Sequence, residues 1–483
     1  MDTRKVLTAG KTMGILVGAG ALLLTSGCAT NLGSAKKKPT VITVWTYYNG
    51  DQLDSFNKLV DEFNNTVGKE NGYQIESSSQ GTVNDLEQNV MDAAEGKVGA
   101  SDMPNIFAAY ADTAYALDEK GLVVDIGQYL TDDEKKLYID SFLEEGDFTG
   151  DGSIKIFPTA KSTEVLFLND TDWEPFAKAT GASYEDLETI EGVVKTAQSF
   201  YEWTDAQTDT PNDGKAFFGR DAMANYMLVG AKELGCTIFD VENGKMKLNF
   251  DEEVARKLWD NYYVPYVKGY FASAGRFRSD DIKTGTIISC VGSTSSATFF
   301  PTRVSTSETE SHDISVKVLP TPVFEDSEAT AVQQGAGMVV TKTNEEQEKA
   351  CVTFLKWFTK PENNIAFSVG SGYLPVTYEA NDMKKIEENA PSISDSMKNI
   401  LSVAVDSVNT RQLYTTKAFS SGGSARSVLE YALSDLATAD RQTVELRIAS
   451  GESMEDVLAE FLSDEYFEQW YTQTLEKLQK FEG

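Results

Sequence analysis

Val41-Ile42-Thr43-Val44-Trp45, followed after a polar loop by Asp54 to Asn64, decides the fold class. The first segment is β-branched and aromatic and reads as a strand. The second carries Phe56, Leu59, Val60 and Phe63 at helical spacing. Working outward, the unit recurs. Tyr73 to Glu76 predicts a second strand, and Val83 to Ala94 a second helix with Val83, Leu86, Val90 and Met91 on its apolar face. Asn105-Ile106-Phe107-Ala108 is a third short strand, and residues 113–120 a helix closed by Gly121. Strands alternating with helices at this interval predict an α/β chain with a parallel sheet.

The middle of the chain follows the same logic. Ile154 to Pro158 follows an Asp-Gly turn, and Glu164 to Leu168 reads as a strand. Helices are expected over 183–201, 221–235 and 251–268. Ile287 to Val291 is a buried strand ending in a Gly-Ser-Thr-Ser-Ser turn, and Val316 to Leu319 one stopped by Pro320 and Pro322. Met338 to Thr341 is another strand. A helix from Asn344 to Thr359 ends at Lys360-Pro361, and the C-terminal region is mainly helical with loops at 370–375 and 420–423.

The N-terminus sets the compartment. Arg4, Lys5 and Lys11 precede an uncharged run from Met13 to Leu24, too short to span a bilayer and built like a secretory signal peptide. Thr25-Ser26-Gly27-Cys28 resembles a bacterial lipobox, with Thr25 in the place of the usual aliphatic residue. That resemblance makes residues 1–27 the signal peptide and Cys28 the lipidated first residue of the mature protein. Stable anchoring then follows from attachment of more than one acyl chain. Residues 28–40 lack a periodic apolar pattern and read as a flexible tether.

The net charge is −32, and removing residues 1–27 takes three bases and one acid, leaving −34. Such a balance argues against a nucleic-acid partner, which needs a basic surface. It fits a solvated extracellular protein. Cys236, Cys290 and Cys351 match no metal spacing, and Cys351 falls in an amphipathic helix where a small buried residue is expected. A single disulfide among them stays open. The one histidine, His312, lies in a polar loop, so neither a usual zinc site nor a His-Glu-x-x-His motif exists. Asp147 to Ser153 hints at a calcium loop, but its twelfth position is Pro158, and a turn is the better reading. No cofactor is expected.

Five pieces, in order, resemble the extracellular solute-binding protein family 1, which includes the maltose-binding proteins of ABC importers. They are Ile42 to Trp45 with its polar loop and helix; Pro104 to Phe107, Ala111-Asp112 and Leu117 to Asp125; Ile156 to Pro158 and Ser162 to Asn169; Lys283 to Ile288 with its Gly-Ser loop; and Ala350 to Phe358, Lys360-Pro361-Glu362 and Gly372 to Val376. The resemblance covers nearly the whole mature chain. It implies a two-lobed Venus flytrap of the type II periplasmic-binding class, each lobe an α/β sheet discontinuous in sequence. Residues 41–157 and 323–367 are expected to form one lobe, and 158–322 and 368–483 the other. The ligand sits between them at the carboxyl ends of strands, and closure buries it.

The same resemblance, with the chemistry of sugars, nominates site residues. Flat aromatic faces cover ring C–H groups, while amides, carboxylates and hydroxyls meet ring hydroxyls. Tyr47, Tyr48 and Asn49 follow strand one, with core or hinge packing as the other reading of the tyrosines. Ser78, Ser79 and Gln80 follow strand two, where plain turn chemistry is equally open. Asp112 occupies the family's hydroxyl-accepting position beside Tyr110, and a helix N-cap is its alternative. Thr163 and Glu164 lie at the crossing into the second lobe. Ser293 and Thr294, and Gln334, sit at loop ends, and Arg426 lies in the C-terminal region. Family members that bind maltodextrins carry tryptophans near these last loops. Here the loops read Gly292-Ser293-Thr294-Ser295 and Gly422-Gly423-Ser424-Ala425, which argues against long glucans. Trp203, Trp259, Trp357 and Trp470 fall in helical patterns and are expected in cores.

The expectation is therefore a lipid-anchored receptor on the extracytoplasmic face of a bacterial membrane, a monomer passing a carbohydrate to ABC permease subunits, without enzymatic activity. Two alternatives stay in view. One is the same receptor for another polar solute, such as a glycerophosphodiester, polyamine or peptide, since Arg276, Arg278 and Arg426 suit a phosphate. The other is a secreted glycan-degrading enzyme using paired carboxylates.

Overall fold

The structure, a computed structural model, describes residues 38–483. The expected signal peptide, Cys28 and the expected tether up to residue 37 lie outside the described residues. Eight strands build two main sheets: β1 Thr40–Thr46, β2 Tyr73–Ser79, β3 Ile106–Ala109, β4 Glu164–Asn169, β5 Phe218–Arg220, β6 Ser289–Ser293, β7 Val316–Pro320 and β8 Gly337–Val340.

The first sheet has the order β8-β3-β1-β2. Strand β1 pairs in parallel with both β2 and β3, with Thr40 opposite Tyr73 and Val44 opposite Ile106. Its inward residues Ile42, Val44 and Thr46 alternate with outward ones, as a pleated strand requires. Helix Gly50–Asn65 lays Phe56 and Phe63 on this sheet, where they meet Phe354, Phe358 and Phe367. Each fully buried ring of this kind contributes roughly 1.5–3 kcal/mol.

The second sheet has the order β7-β4-β6-β5 and departs from the parallel expectation. Strand β4 runs antiparallel to both β6 and β7, and β8 runs antiparallel to β3. Only β5 and β6 pair in parallel within this sheet. Parallel neighbours need a crossover that restores direction. Here a long, largely helical excursion between β4 and β6, and a 3-10 turn with a short hairpin between β6 and β7, place both neighbours antiparallel to β4. All six residues of β4 are buried, so the strand is covered on both faces.

Each sheet has its own core. Buried residues from Ile42 to Ala160 and from Ala336 to Val408 form one, and residues from Leu166 to Phe324 and from Phe419 to Leu478 form the other. Tyr373, Leu374, Val376, Ile386 and Leu401 belong to the first core, although sequence reading assigns 368–483 to the second lobe. Between the sheets the chain crosses repeatedly as a narrow ladder. Ser162 and Gln334 exchange backbone hydrogen bonds of 2.8 and 3.0 Å, Lys161 pairs with Leu374, and the Gln333 amide donates to the Tyr414 carbonyl. A buried ion pair, Lys161 to Glu145 at 2.6 Å, sits on this ladder with Gln333 donating to the same carboxylate.

Several local expectations shift. Ile154 to Pro158 is not a strand; Phe157 makes one bridge to Met338, and Pro158 has no N–H to extend it. The helix expected at 183 begins at Ile190, where the Thr189 hydroxyl caps Gly192. Asp147 folds the acidic loop by accepting from the amides of Gly150, Asp151 and Gly152. Cys236, Cys290 and Cys351 are buried free thiols, so no disulfide joins them. Trp259, Trp357 and Trp470 are buried and Trp203 is partly so.

Candidate functional site

A cleft of about 1020 Å³ opens where the two sheets face one another across the ladder. One wall comes from the first lobe: Asn84 and Glu87 on helix Val83–Ala94, then Tyr110, Asp112 and Thr113 just past β3. The other comes from the second lobe: Arg220 and Asp221 at the end of β5, Asn225, Tyr262, Arg276 to Arg278, and Ser293, Ser295 and Ser296 after β6. Tyr414, Arg426, Glu430 and Tyr431 complete that wall, and Glu145, Glu164, Gln333 and Gln334 line the cavity from the ladder. The site thus lies where strand ends and crossing segments converge.

A continuous polar chain spans the base. Glu164 accepts from the Arg220 guanidinium and, at 2.7 Å, from the Asn225 side-chain amide. The same amide reaches Gln334 Oε1 at 3.0 Å, and Asn225 Oδ1 accepts from Arg426. Burial lifts the Glu164 carboxyl above its ordinary range, although Arg220 pulls the other way. The network fixes the rotamers of five side chains before any solute arrives, which is preorganisation.

Asp112 faces it from the other lobe. It does not cap its own helix: the N-cap residue is Tyr110, without a side-chain bond, and Asp112 lies in the first turn. Its carboxylate instead reaches across to helix Gly422–Tyr431, where Ser421 supplies no side-chain cap. The backbone amide of Phe419 bonds to it, and a Cβ on Gly422 would stand 2.1 Å from Asp112 Oδ1. Burial pushes this carboxyl up to about 6, against the Phe419 amide and the Arg426 charge. Burial likewise raises Glu87, and brings Asp221 to about 6 against its Arg278 partner.

The structure distributes the sequence-nominated residues unevenly. Tyr110, Asp112, Glu164, Ser293, Gln334 and Arg426 all line the cleft. Tyr48 does not; it is 1 % exposed, wedged between Phe56 and Phe367. Tyr47 lies beside it, its hydroxyl 3.1 Å from that of Tyr373. Asn49 donates to the carbonyls of Tyr47 and Gly81 and so braces a turn. Ser79 and Gln80 end the edge strand β2, where Ser79 accepts from Gly81 and Gln80 bonds Ser78 and Asn89. Thr163 and Thr294 are buried behind Glu164 and Ser293, with hydroxyls that have no partner. His312 pairs with Asp172 at 2.8 Å on an exposed hairpin.

Sequence reading missed Arg220, Asp221, Asn225, Tyr262, Glu430, Phe277 and Tyr431. Asn225 had a usable signal: it is the single strongly polar residue in the buried run Met223 to Ala231. Glu430 accepts from the amides of Met223 and Ala224 and so holds that helix start in place.

Two α/β lobes about a ladder of crossing segments, with a prebuilt polar cleft between them, define a solute-binding protein of the type II periplasmic class. Residues 58–391 match the profile of the bacterial extracellular solute-binding proteins, and the chain belongs to that family. Solved structures share the fold at low identity. The cyclic α-maltosyl-1,6-maltose binding protein of Arthrobacter globiformis superposes with a TM-score of 0.64 at 17% identity, covering 91% of this chain and 99% of that one. A Listeria monocytogenes ABC substrate-binding protein, solved with cycloalternan, gives 0.64 at 14% over 91% and 99%. The Mycobacterium tuberculosis protein UgpB, solved with glycerophosphocholine, gives 0.61 at 19% over 88% and 100%. No curated protein sequence matches the chain.

Proposed function

We propose that this chain is the receptor of an ABC importer, held to the outer face of the membrane through Cys28, and that it encloses a carbohydrate in the cleft for delivery to the permease. The observation that carries the reading is the polar base of the cleft. Asp112, Glu164, Asn225, Gln334 and Arg426 alternate acceptors and donors, the pattern that ring hydroxyls satisfy in both directions. Exposed aromatic faces at its rim, Tyr110, Phe277 and Tyr431, suit the C–H faces of a sugar. Two of the solved relatives hold or are named for cyclic oligosaccharides.

The lobes are proposed as residues 40–160 with 336–408 and residues 164–324 with 419–478, following the two cores. The ligand acts by stabilising the closed arrangement, so recognition by the permease is a population shift and not a chemical step. The protein works as a monomer in this reading. A second reading, a phosphate-bearing solute, is favoured by one observation. Arg276 and Arg426 close no ion pair among the described residues, whereas Arg220 and Arg278 are bound to carboxylates.

Titration calorimetry of the protein with neutral oligosaccharides and with glycerophosphocholine separates the two. Heat of binding with sugars and none with the phosphodiester is the expected result; the reverse overturns the carbohydrate assignment. Cys28→Ala is expected to release the protein from membranes into the medium.

A further inference from the structure

The cleft does not end at its own rim. A second cavity of about 580 Å³ lies on the outer side of helix Gly422–Tyr431, against helix Asp464–Leu478, and shares Ser427 and Tyr431 with the cleft. Tyr431 is the divide between the two. Tyr431 is 59 % exposed, and its side chain makes no ring contact or hydrogen bond among the described residues. An aromatic ring of that size left bare usually finds a face to cover.

The far cavity carries the other half of sugar chemistry. Gln469 and Gln473 are exposed and four residues apart on one helix, so their amides project from the same face one turn apart. Neither amide is engaged among the described residues. Trp470 forms the buried floor between them, its indole N–H spent on the Ala432 carbonyl at 3.0 Å, which holds the groove rigid. The cleft by itself already reaches the upper size of a small-molecule site. A connected groove beyond it offers space that a mono- or disaccharide leaves empty.

We propose that this groove is an outer subsite for a carbohydrate chain, with Tyr431 as the platform over which an oligosaccharide leaves the cleft and Gln469 and Gln473 as hydrogen-bonding partners for its distal units. The proposal rests on the carbohydrate reading of the cleft and adds to it that affinity grows with chain length. It also makes Tyr431 a specificity-determining residue, favouring oligosaccharides over short sugars.

The test is calorimetry with gluco-, manno-, galacto- and xylo-oligosaccharides, α- and β-linked, each from disaccharide to hexasaccharide. Wild type is expected to bind the longer members of one series about tenfold more tightly than its disaccharide. The double variant Gln469→Ala/Gln473→Ala is expected to lose that gain while keeping wild-type affinity for the disaccharide; Tyr431→Ala is expected to lose the ratio between long and short chains, and Tyr431→Phe to retain it. Unchanged melting temperatures confirm that these surface variants fold. Affinity independent of chain length in wild type, or an undiminished gain in Tyr431→Ala, overturns the outer subsite and leaves the carbohydrate reading standing. Normal binding by Tyr431→Ala with lost uptake in cells also overturns it, making Tyr431 a permease contact. No heat with any sugar overturns the carbohydrate reading and the subsite together.

Discussion

Replacing Arg220 by leucine tests whether the base of the cleft is held by charge pairing. The Arg220 and Glu164 side chains are 6% and 5% exposed, so neither ion has water to fall back on. With the guanidinium gone, Glu164 keeps the Asn225 amide at 2.7 Å and the charge of Arg426, which does not bond to it. Breaking a buried pair by removing one partner costs roughly 3–5 kcal/mol, because an uncompensated charge stays inside. Burial already lifts the Glu164 carboxyl above its usual value with Arg220 present, and losing Arg220 drives it higher. A carboxyl raised in the folded state destabilises at pH values above that folded pKa, and the loss is recovered as pH falls toward the unfolded value. Urea unfolding is therefore expected to show a larger cost for Arg220→Leu at pH 7.5 than at pH 5. The double variant Glu164→Gln/Arg220→Leu should regain most of the stability at pH 7.5. A cost below about 1 kcal/mol, or one equal at both pH values, refutes the buried-charge account.

Three further outcomes follow from the same geometry. Asp112→Asn is expected to weaken sugar binding by ~1–3 kcal/mol without unfolding the protein, and unchanged calorimetric affinity removes Asp112 from the site. Burial raises Asp112 and Asp221 to about 6 and Glu233 to about 7, above the unfolded range of ~4. The stability they contribute is full below that range and lost as pH rises through 6 to 7, so the melting temperature should fall between pH 5 and 7.5 and fall less in Glu233→Gln; a flat or rising wild-type profile contradicts this. Gly422→Ala places a Cβ against the Asp112 carboxylate and should hold the lobes apart, seen as a larger radius of gyration by X-ray scattering with sugar present; an Asp112→Ala change in the same chain should restore closure, and a Gly422→Ala protein that closes like wild type rules the contact out.

Much of the fold was legible because local rules carried it. The helix Val83–Ala94 was read to the residue, since Thr82 and Asp85 form a capping box around an apolar stripe. The misplacement of Tyr48 has an equally plain cause. Ile42, Val44, Thr46 and Tyr48 are all buried, so the strand's inward alternation runs on past its end and carries Tyr48 into the core. Position after a strand suggested a contact loop, but the period of two decided where the ring went. Asp112 and Glu164 were legible as cleft residues through the family's pattern of motifs. Arg220 was not, because a three-residue strand between loops leaves no periodic signal.

From sequence alone came the repeated strand and helix segments and the acidic composition, and, through the family resemblance, the two-lobed plan. The segments depend on neighbours a few residues apart, where helical and strand periods act. Only the folded chain decided strand direction in the second sheet, the free state of the cysteines, and the meeting of Glu164, Arg220, Asn225, Gln334 and Arg426. Those side chains stand far apart along the chain, and no local pattern specifies which loop ends two packed lobes will bring within hydrogen-bond reach. That choice belongs to core packing, which sets the distance and angle between the sheets and so which polar groups face one another.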